Sequence, residues 1–172
     1  KTIQKTLNSV KNQTWNNIEI IVIDDGSNDS YTLKILNNLT NVNLITQVNK
    51  GLPASRNRGI LEAKGDYILP LDADDWIEPS TVEDLMNSLS ISTYFSFSFS
   101  YIQLEGECRG VLVKQYNFFE QLFLNQIPYC ILFRKEVWES IGGYDETFKN
   151  GYEDWEFNIR LGKNRHHGVV LE

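Results

Sequence analysis

Apolar residues recur along the first half of the chain in two alternating patterns. Helical spacing alternates with short apolar runs over residues 1–14, 18–23, about 31–39, 42–46, about 53–64, 66–71 and 79–89 in turn. Runs rich in β-branched residues are typical of strands that are covered on both faces. Helices that alternate with strands over short connections predict an α/β domain with a mostly parallel central sheet and flanking helices.

The pattern changes after residue 90. Residues 94–101 alternate aromatic residues with serine, which predicts a strand with aromatics on one face and serines on the other. The remaining predicted elements are a hairpin turn at 105–107 leading into 111–113, a short helix around 116–125, an apolar stretch at 129–133, a helix about 137–141 that ends at Gly142-Gly143, and a helix near 153–162. No linker or repeat divides the chain, so we expect a single domain over residues 1–172.

Composition narrows the class of protein. Hydrophobic residues make up 41% and charged residues 23% of the 172 residues, which is ordinary for one globular domain. The net charge of −7 argues against a nucleic-acid partner but leaves room for a nucleotide held through a metal ion. We expect Cys108 and Cys130 to be free thiols in a reducing compartment. The uncapped Lys1 and the terminal Leu171-Glu172, which could be a vector remnant, lead us to expect a chain cut at both ends.

The sequence YILPLDADDW, residues 67–76, carries the clearest chemical signal. Its apolar run ends in three carboxylates, Asp72, Asp74 and Asp75, which repel one another unless a cation lies between them. An acid-rich helix start before Pro79 is one interpretation. A Mg²⁺ or Mn²⁺ ion carrying a diphosphate is another. A calcium loop is excluded, because Trp76 and the residue after it occupy positions that need an oxygen ligand and a glycine.

A second acidic loop, Asp24-Asp25-Gly26-Ser27, follows the predicted strand at 18–23. It serves either as a simple turn and helix cap or as a site that holds a base or ribose. Since parallel sheets bind ligands at the carboxyl ends of their strands, we expect the two acidic loops to meet in one crevice. Three basic residues nearby, Lys50, Arg56 and Arg58, are either diphosphate ligands or solvated surface charge.

Three ordered blocks of the sequence resemble one family. The blocks are LNSVKNQTWNNIEIIVIDDGSNDS, NKGLPASRNRGILEAKGDYILPLDADDWIEP and FRKEVWESIGGYDETFKNGYEDWEFNIRL. Together they are similar to the inverting glycosyltransferases of family 2, which have the GT-A fold. The resemblance implies a nucleotide-binding half at about 1–90 and an acceptor-side half at about 91–172. It also implies a central first strand, which is missing before residue 1.

The resemblance implies roles for the matching residues. Asp25 would contact the nucleotide base with support from Asp24, and Lys50 would contact the base or the diphosphate. Asp74 would bind the metal, and Asp72 would reach the ribose or donor sugar and serve as a second metal ligand. On the other side of the site, Asp154 would be the catalytic base, while Trp155 and the turn at 142–145 would face the acceptor.

The function implied is transfer of a sugar from a nucleotide donor, most simply a UDP-sugar, to a hydroxyl of a glycan or lipid-linked acceptor. Inversion, dependence on Mg²⁺ or Mn²⁺, and a place in bacterial-type cell-surface polysaccharide biosynthesis come with the resemblance. So does a cytoplasmic location with peripheral association at the inner face of the membrane. Two alternatives stay open. One is a phosphatase of the haloacid-dehalogenase type, which also places acids after a strand, although Trp76 stands where it has Thr or Val. The other is an inactive nucleotide-sugar-binding domain.

Overall fold

Strands and helices alternate through the first half of the chain, as the hydrophobic pattern predicts. The computed structural model describes residues 2–171, so the expectation that concerns Lys1 and Glu172 falls outside the described residues. The helices are α1 (Thr2–Lys11), α2 (Ser30–Asn37), α3 (Leu52–Glu62), α4 (Thr81–Ser90), α5 (Phe118–Gln121), α6 (Lys135–Ile141) and α7 (Glu153–Lys163). The strands are β1 (Ile21–Asp24), β2 (Asn43–Thr46), β3 (Tyr67–Ile68), β4 (Phe95–Ser100), β5 (Ile102–Leu104), β6 (Gly110–Leu112), β7 (Leu132–Arg134) and β8 (His167–Leu171).

The strands form a mixed arrangement, where a mostly parallel sheet was predicted. β1 pairs with β2 in parallel, and a four-stranded sheet has the order β3-β7-β4-β8. Only the β4–β8 pair of that sheet is parallel, because β7 returns between β3 and β4 and runs antiparallel to both. The predicted hairpin is confirmed as the β5–β6 pair. The α/β class is confirmed, and the strand directions are the part that the pattern missed.

The core lies between the four-stranded sheet and helices α3, α4 and α7. Aromatic side chains of β4 and β7 and of α7 fill its centre, with Phe97, Phe99 and Phe133 at 0% exposure. The serine face of β4 is covered as well, since Ser98 is buried and its hydroxyl donates to the carbonyl of Leu85 on α4. Rigid packing of this kind holds the loops at the strand ends in fixed positions.

Several predicted elements are shorter in the structure, and β3 and α5 lose the largest share of their predicted length. β3 stops at Ile68 because Pro70 has no N–H to donate to a strand partner. α5 begins where the Asn117 side chain accepts from the backbone of Phe119, and it covers only 118–121 of the predicted 116–125.

β8 pairs in parallel with β4, although no strand was predicted there. Within residues 2–171 no helix is long and apolar enough to cross a bilayer.

Candidate active site

The loop after β1 is a tight turn built by its own side chains. Asp24 is buried, and its Oδ1 accepts a hydrogen bond from the backbone N–H of Ser27 at 2.9 Å. Gly26 has φ +83°, and a Cβ there would lie 2.9 Å from the backbone nitrogen of Asn49. Asp24 therefore shapes the turn.

The carboxylate of Asp25 holds the segment that leads into α3. Its Oδ1 accepts from Gln47 Nε2 at 2.8 Å and from the Lys50 N–H at 2.9 Å, and its Oδ2 accepts from the Gly51 N–H at 2.8 Å. Burial acts to raise the pKa of Asp25, but these hydrogen bonds together hold that pKa below its usual value. Lys50 contributes its backbone here and its side chain is exposed.

The loop after β3 is fixed from two sides. The backbone N–H of Asp75 donates to the carbonyl of Asp72 at 3.2 Å, and α1 supports the turn through the Thr6 hydroxyl, which donates to the Ala73 carbonyl at 2.9 Å. From the other side, the Tyr129 hydroxyl accepts from the Asp72 N–H at 3.1 Å and donates to Asp75 Oδ2 at 2.6 Å. Asp74 is exposed to solvent at the tip of this turn.

Arg56 on α3 joins this loop to α7. Its Nη2 lies 3.2 Å from Asp72 Oδ1 and its Nη1 lies 2.8 Å from Glu153 Oε1, while its own side chain is only 7% exposed. Arg56 is not the solvated surface charge of the second alternative, because its guanidinium is buried and both of its ends pair with buried or half-buried acids. Arg58 follows the surface alternative and pairs with Glu62 one turn along α3.

Electrostatics at Asp72 reflect this environment. Burial raises the pKa of Asp72, the nearby guanidinium of Arg56 acts in the opposite direction, and the neighbouring acids Asp75 and Asp74 add to the rise. Together these effects raise the pKa of Asp72 above its usual value. An added positive charge near Asp72 would therefore favour its ionised form.

The candidate base sits in the first turn of α7. Asp154 is half-buried, and its Oδ2 accepts from Asn125 Nδ2 at 3.0 Å while its Oδ1 accepts from the backbone N–H of Trp155 at 2.8 Å. The indole N–H of Trp155 donates to the Gln121 carbonyl at 2.6 Å, and the ring lies 6.1 Å from that of Tyr152. Each carboxylate oxygen has two acceptor positions, so Asp154 keeps capacity to accept a further proton.

The Gly142–Asp145 turn is held by α3 as well. Asn57 Oδ1 accepts from the Tyr144 N–H at 2.8 Å and from Trp138 Nε1 at 3.1 Å, and Asn57 Nδ2 donates to the Tyr144 carbonyl at 2.8 Å. Gly143 has φ +74°, and a Cβ there would lie 2.9 Å from Asn57 Oδ1. The close approach of the turn to α3 thus requires glycine at this position.

The first turns of α3 bring all the predicted segments together. Gly51 contacts Asp25, Arg56 contacts Asp72 and Glu153, and Asn57 contacts the turn at 142–145. The two acidic loops, which we expected to meet in one crevice, are thus connected through this helix. A cavity of about 420 Å³ opens beside α3, with Lys50, Asn57 and Trp138 in its lining.

Sequence reasoning missed the residues that support the candidate ligands. Tyr129, Asn57 and Asn125 each contact a site segment, yet each looks like an ordinary residue of an apolar stretch or helix surface. Their partners lie between 29 and 87 residues away along the chain, so no local spacing could have indicated them.

The acidic side chains of the site supply too few ligands to hold a metal ion by themselves. The described part of the chain contains no cluster of three or more His, Cys, Asp or Glu side chains that could hold an ion alone. Asp72 and Asp74 offer hard oxygen ligands, and Mg²⁺ is commonly bound by one or two carboxylates with phosphates and water completing its shell. The donor set therefore fits an ion that is shared with a diphosphate.

The fold and these loops define a GT-A-type domain. Among solved structures, Staphylococcus aureus TarS superposes with a TM-score of 0.78 at 21% identity, over 100% of this chain and 33% of that one. A TarS fragment in complex with UDP-GlcNAc gives a TM-score of 0.78 at 20% identity, over 98% of this chain and 52% of that one. The GT-A fold implied by the resemblance is confirmed.

The sequence profile of Glycosyl transferase family 2 matches residues 1–142, so the chain belongs to that family. The chondroitin synthase of Escherichia coli is 30% identical over 95% of this chain. The glycosyltransferase GlyA of Streptococcus pneumoniae is 36% identical over 56% of it. The chain spans 25% and 15% of the length of these two relatives.

Proposed function

We propose that the protein transfers a sugar from a UDP-sugar to an acceptor hydroxyl, with inversion and with the help of Mg²⁺ or Mn²⁺, in the synthesis of a cell-surface polysaccharide. Membership of the family supports the reaction class. The TarS structures with UDP and UDP-GlcNAc support a uridine nucleotide, and the chondroitin synthase relatives support a polysaccharide product. A glycan or lipid-linked acceptor and association with the inner face of the membrane stay predictions.

One observation carries the proposal. A single buried guanidinium, that of Arg56, contacts both the loop that presents Asp74 and the first residue of the helix that presents Asp154. The candidate metal ligand and the candidate base are therefore presented by segments fixed to each other. A transfer reaction needs such an arrangement, because donor and acceptor must react in one fixed geometry.

On the donor side, Asp74 and Asp72 would hold the metal ion between the protein and the diphosphate. The metal, when bound, supplies positive charge that stabilises the departing nucleoside diphosphate. Asp25 would contact the nucleotide base from the loop that its hydrogen bonds fix, and the exposed ammonium group of Lys50 would approach the base or the diphosphate.

On the acceptor side, Asp154 takes the proton of the acceptor hydroxyl as that oxygen attacks the anomeric carbon. A bond forms between the acceptor oxygen and the anomeric carbon, and the bond from that carbon to the diphosphate oxygen breaks with its electron pair. One displacement inverts the anomeric centre, so a second carboxylate nucleophile is not needed. Trp155 and the turn at 142–145 would contact the acceptor.

Donor binding is tested by thermal unfolding with Mn²⁺ and UDP. We expect the pair to raise the Tm of the protein, since a ligand that binds only the folded state stabilises it. The Asp74→Ala variant should lose this rise. Asp66→Ala removes an exposed aspartate before the other end of β3 and should keep it. A protein that shows no rise with any common nucleoside diphosphate would contradict the proposal.

The assignment of the base is tested with Asp154→Asn. Transfer should fall by two or more orders of magnitude, a loss typical for an essential general base, while the rise in Tm with Mn²⁺ and UDP persists. If donor binding is lost together with transfer, Asp154 is structural. Donor binding without transfer in the unaltered protein would favour the inactive binding domain, and release of phosphate from a generic ester would favour the phosphatase.

A further inference from the structure

Arg56 is a buried cation between two acids from distant parts of the chain. Its side chain is 7% exposed, that of Glu153 is 8% exposed, and that of Asp72 is 35% exposed. The partners lie 16 and 97 residues away in the sequence. Removing one member of such a buried group leaves an uncompensated charge, which is costly.

The contacts require the shape of an arginine. Two separate nitrogens of one planar group reach two separate carboxylates, a geometry that the single ammonium of lysine cannot reproduce. The carbon at the centre of the guanidinium also lies 5.2 Å from the ring centre of Tyr129 and 5.5 Å from that of Tyr144. Cations are attracted to aromatic faces at such distances, so the rings restrict the position of the group further.

We propose that Arg56 is a positioning residue with two separable effects, an inference that rests on the proposed function. Its two contacts, with Asp72 and with Glu153, form a bridge that sets the position of the Asp72–Asp75 loop relative to α7, which carries Asp154. Its positive charge beside Asp72 weakens the affinity of the acidic loop for a bare divalent cation, so that the cation binds well only with the diphosphate that it accompanies. Glu153, the first member of the Glu-Asp pair, anchors Arg56 and is not the catalytic base.

The charge effect follows from the net charge of the loop. Asp72, Asp74 and Asp75 carry three negative charges when ionised, and Arg56, which also pairs with Glu153, offsets part of that charge at a distance of 3.2 Å from Asp72. Without that cation the loop attracts a divalent ion more strongly, and at a partly buried site the change is well above thermal energy. A residue that merely supported the fold would not increase metal affinity when it was removed.

Three variants separate the bridge from the charge. Arg56→Gln removes both, Arg56→Lys keeps the charge without the double contact, and Arg58→Gln is the matched control on the same helix, because Arg58 is half-exposed and pairs with Glu62. Binding of Mn²⁺ without nucleotide is measured by electron paramagnetic resonance, and kcat and KM for the UDP-sugar are measured in a transfer assay.

The expected results differ for each variant. Arg56→Gln should bind bare Mn²⁺ about tenfold more tightly, a change worth about 1.4 kcal/mol, and should lose at least about tenfold in kcat with KM for the donor within about threefold. Arg56→Lys should show the same fall in kcat with nearly unchanged Mn²⁺ affinity. Arg58→Gln should match the unaltered protein in all three measurements.

Other outcomes would overturn the inference. An unchanged kcat in both Arg56 variants would rule out the positioning role. An unchanged Mn²⁺ affinity in Arg56→Gln would rule out the charge effect. If the Arg56 variants do not fold, Glu153→Gln breaks the bridge from its other end, and an unchanged kcat there counts against the inference. If the unaltered protein neither binds UDP with Mn²⁺ nor transfers a sugar, the proposed function fails instead, while the affinity for bare Mn²⁺ still tests the charge effect.

Discussion

The loop at Asp24–Asp25 and the loop at Asp72–Asp75 both follow short strands, yet their carboxylates are used differently. In the first, both oxygens of Asp25 accept hydrogen bonds from the segment Gln47–Gly51. In the second, Asp74 stays exposed at the tip of a turn whose other acids are held by Arg56 and Tyr129. Asp25 therefore stabilises the structure through its carboxylate, while Asp74, exposed beside fixed acids, makes no such contact. The same residue type thus serves two purposes in one domain.

The largest stability effect should come from Asp25→Asn. The asparagine would turn an N–H₂ group toward backbone and side-chain N–H donors, so at least one charge-assisted hydrogen bond is replaced by a repulsive contact. We expect a loss of about 2 kcal/mol in the free energy of unfolding, or a fall in Tm of about 4 to 8 °C for a domain of this size. Thermal unfolding measures it.

Asp29→Asn is the matched control for that change. Asp29 caps α2 by accepting from the Thr32 N–H, and asparagine caps helices as well as aspartate does. The Tm of Asp29→Asn should stay within about 1 °C of the Tm of the unaltered protein, since the change in the free energy of unfolding is a fraction of a kcal/mol. Equal losses in the two variants would mean that Asp25 does no more than an ordinary turn residue.

Acid should remove the contribution of Asp25. Its pKa in the folded protein lies below the usual value of 3.8, so its stabilising effect is present above that value and is lost as the pH falls through the folded pKa. The difference in Tm between the unaltered protein and Asp25→Asn should therefore be constant near neutral pH and shrink below about pH 4. Thermal unfolding from pH 7 to pH 3 tests this, and a gap that widens on acidification would contradict it.

The sequence predicted the contrast between the loops only in part. The apolar runs before Asp24 and Asp72 indicated strand ends, and the two acidic loops do follow β1 and β3, although these strands lie in different sheets. The pattern could not show that Asp25 accepts hydrogen bonds from residues 22 to 26 positions away, or that Arg56 contacts Glu153, which lies 97 residues away. Local patterns specify elements, whereas these contacts depend on how the elements pack. The antiparallel insertion of β7 escaped prediction for the same reason.

A smaller effect is expected for Tyr129→Phe. The hydroxyl supports the second loop through two hydrogen bonds, as acceptor for the Asp72 N–H and donor to Asp75. Its loss should cost about 1 kcal/mol, or about 2 to 4 °C in Tm, and should also weaken binding of Mn²⁺ with UDP because the loop is less fixed. Tyr31→Phe, at an exposed ring on α2, is the control and should change neither quantity. A Tyr129→Phe protein with normal stability and normal binding would show that α1 and Arg56 hold the loop without the Tyr129 hydroxyl.

The smallest stability effect should come from Asp74→Asn. The difference between this effect and that of Asp25→Asn distinguishes the two loops. Asp74 is exposed and lies between two other acids, so its neutralisation removes repulsion without breaking a fixed contact. We expect the free energy of unfolding to change by less than about 0.5 kcal/mol, with any change in the stabilising direction. When Mn²⁺ and UDP are added, Asp74→Asn lacks the rise in Tm that the unaltered protein gains, so this variant then has a lower Tm than the unaltered protein. An Asp74→Asn protein that is destabilised as much as Asp25→Asn without ligand would show that both loops are structural, and the donor site would have to be sought elsewhere in the domain.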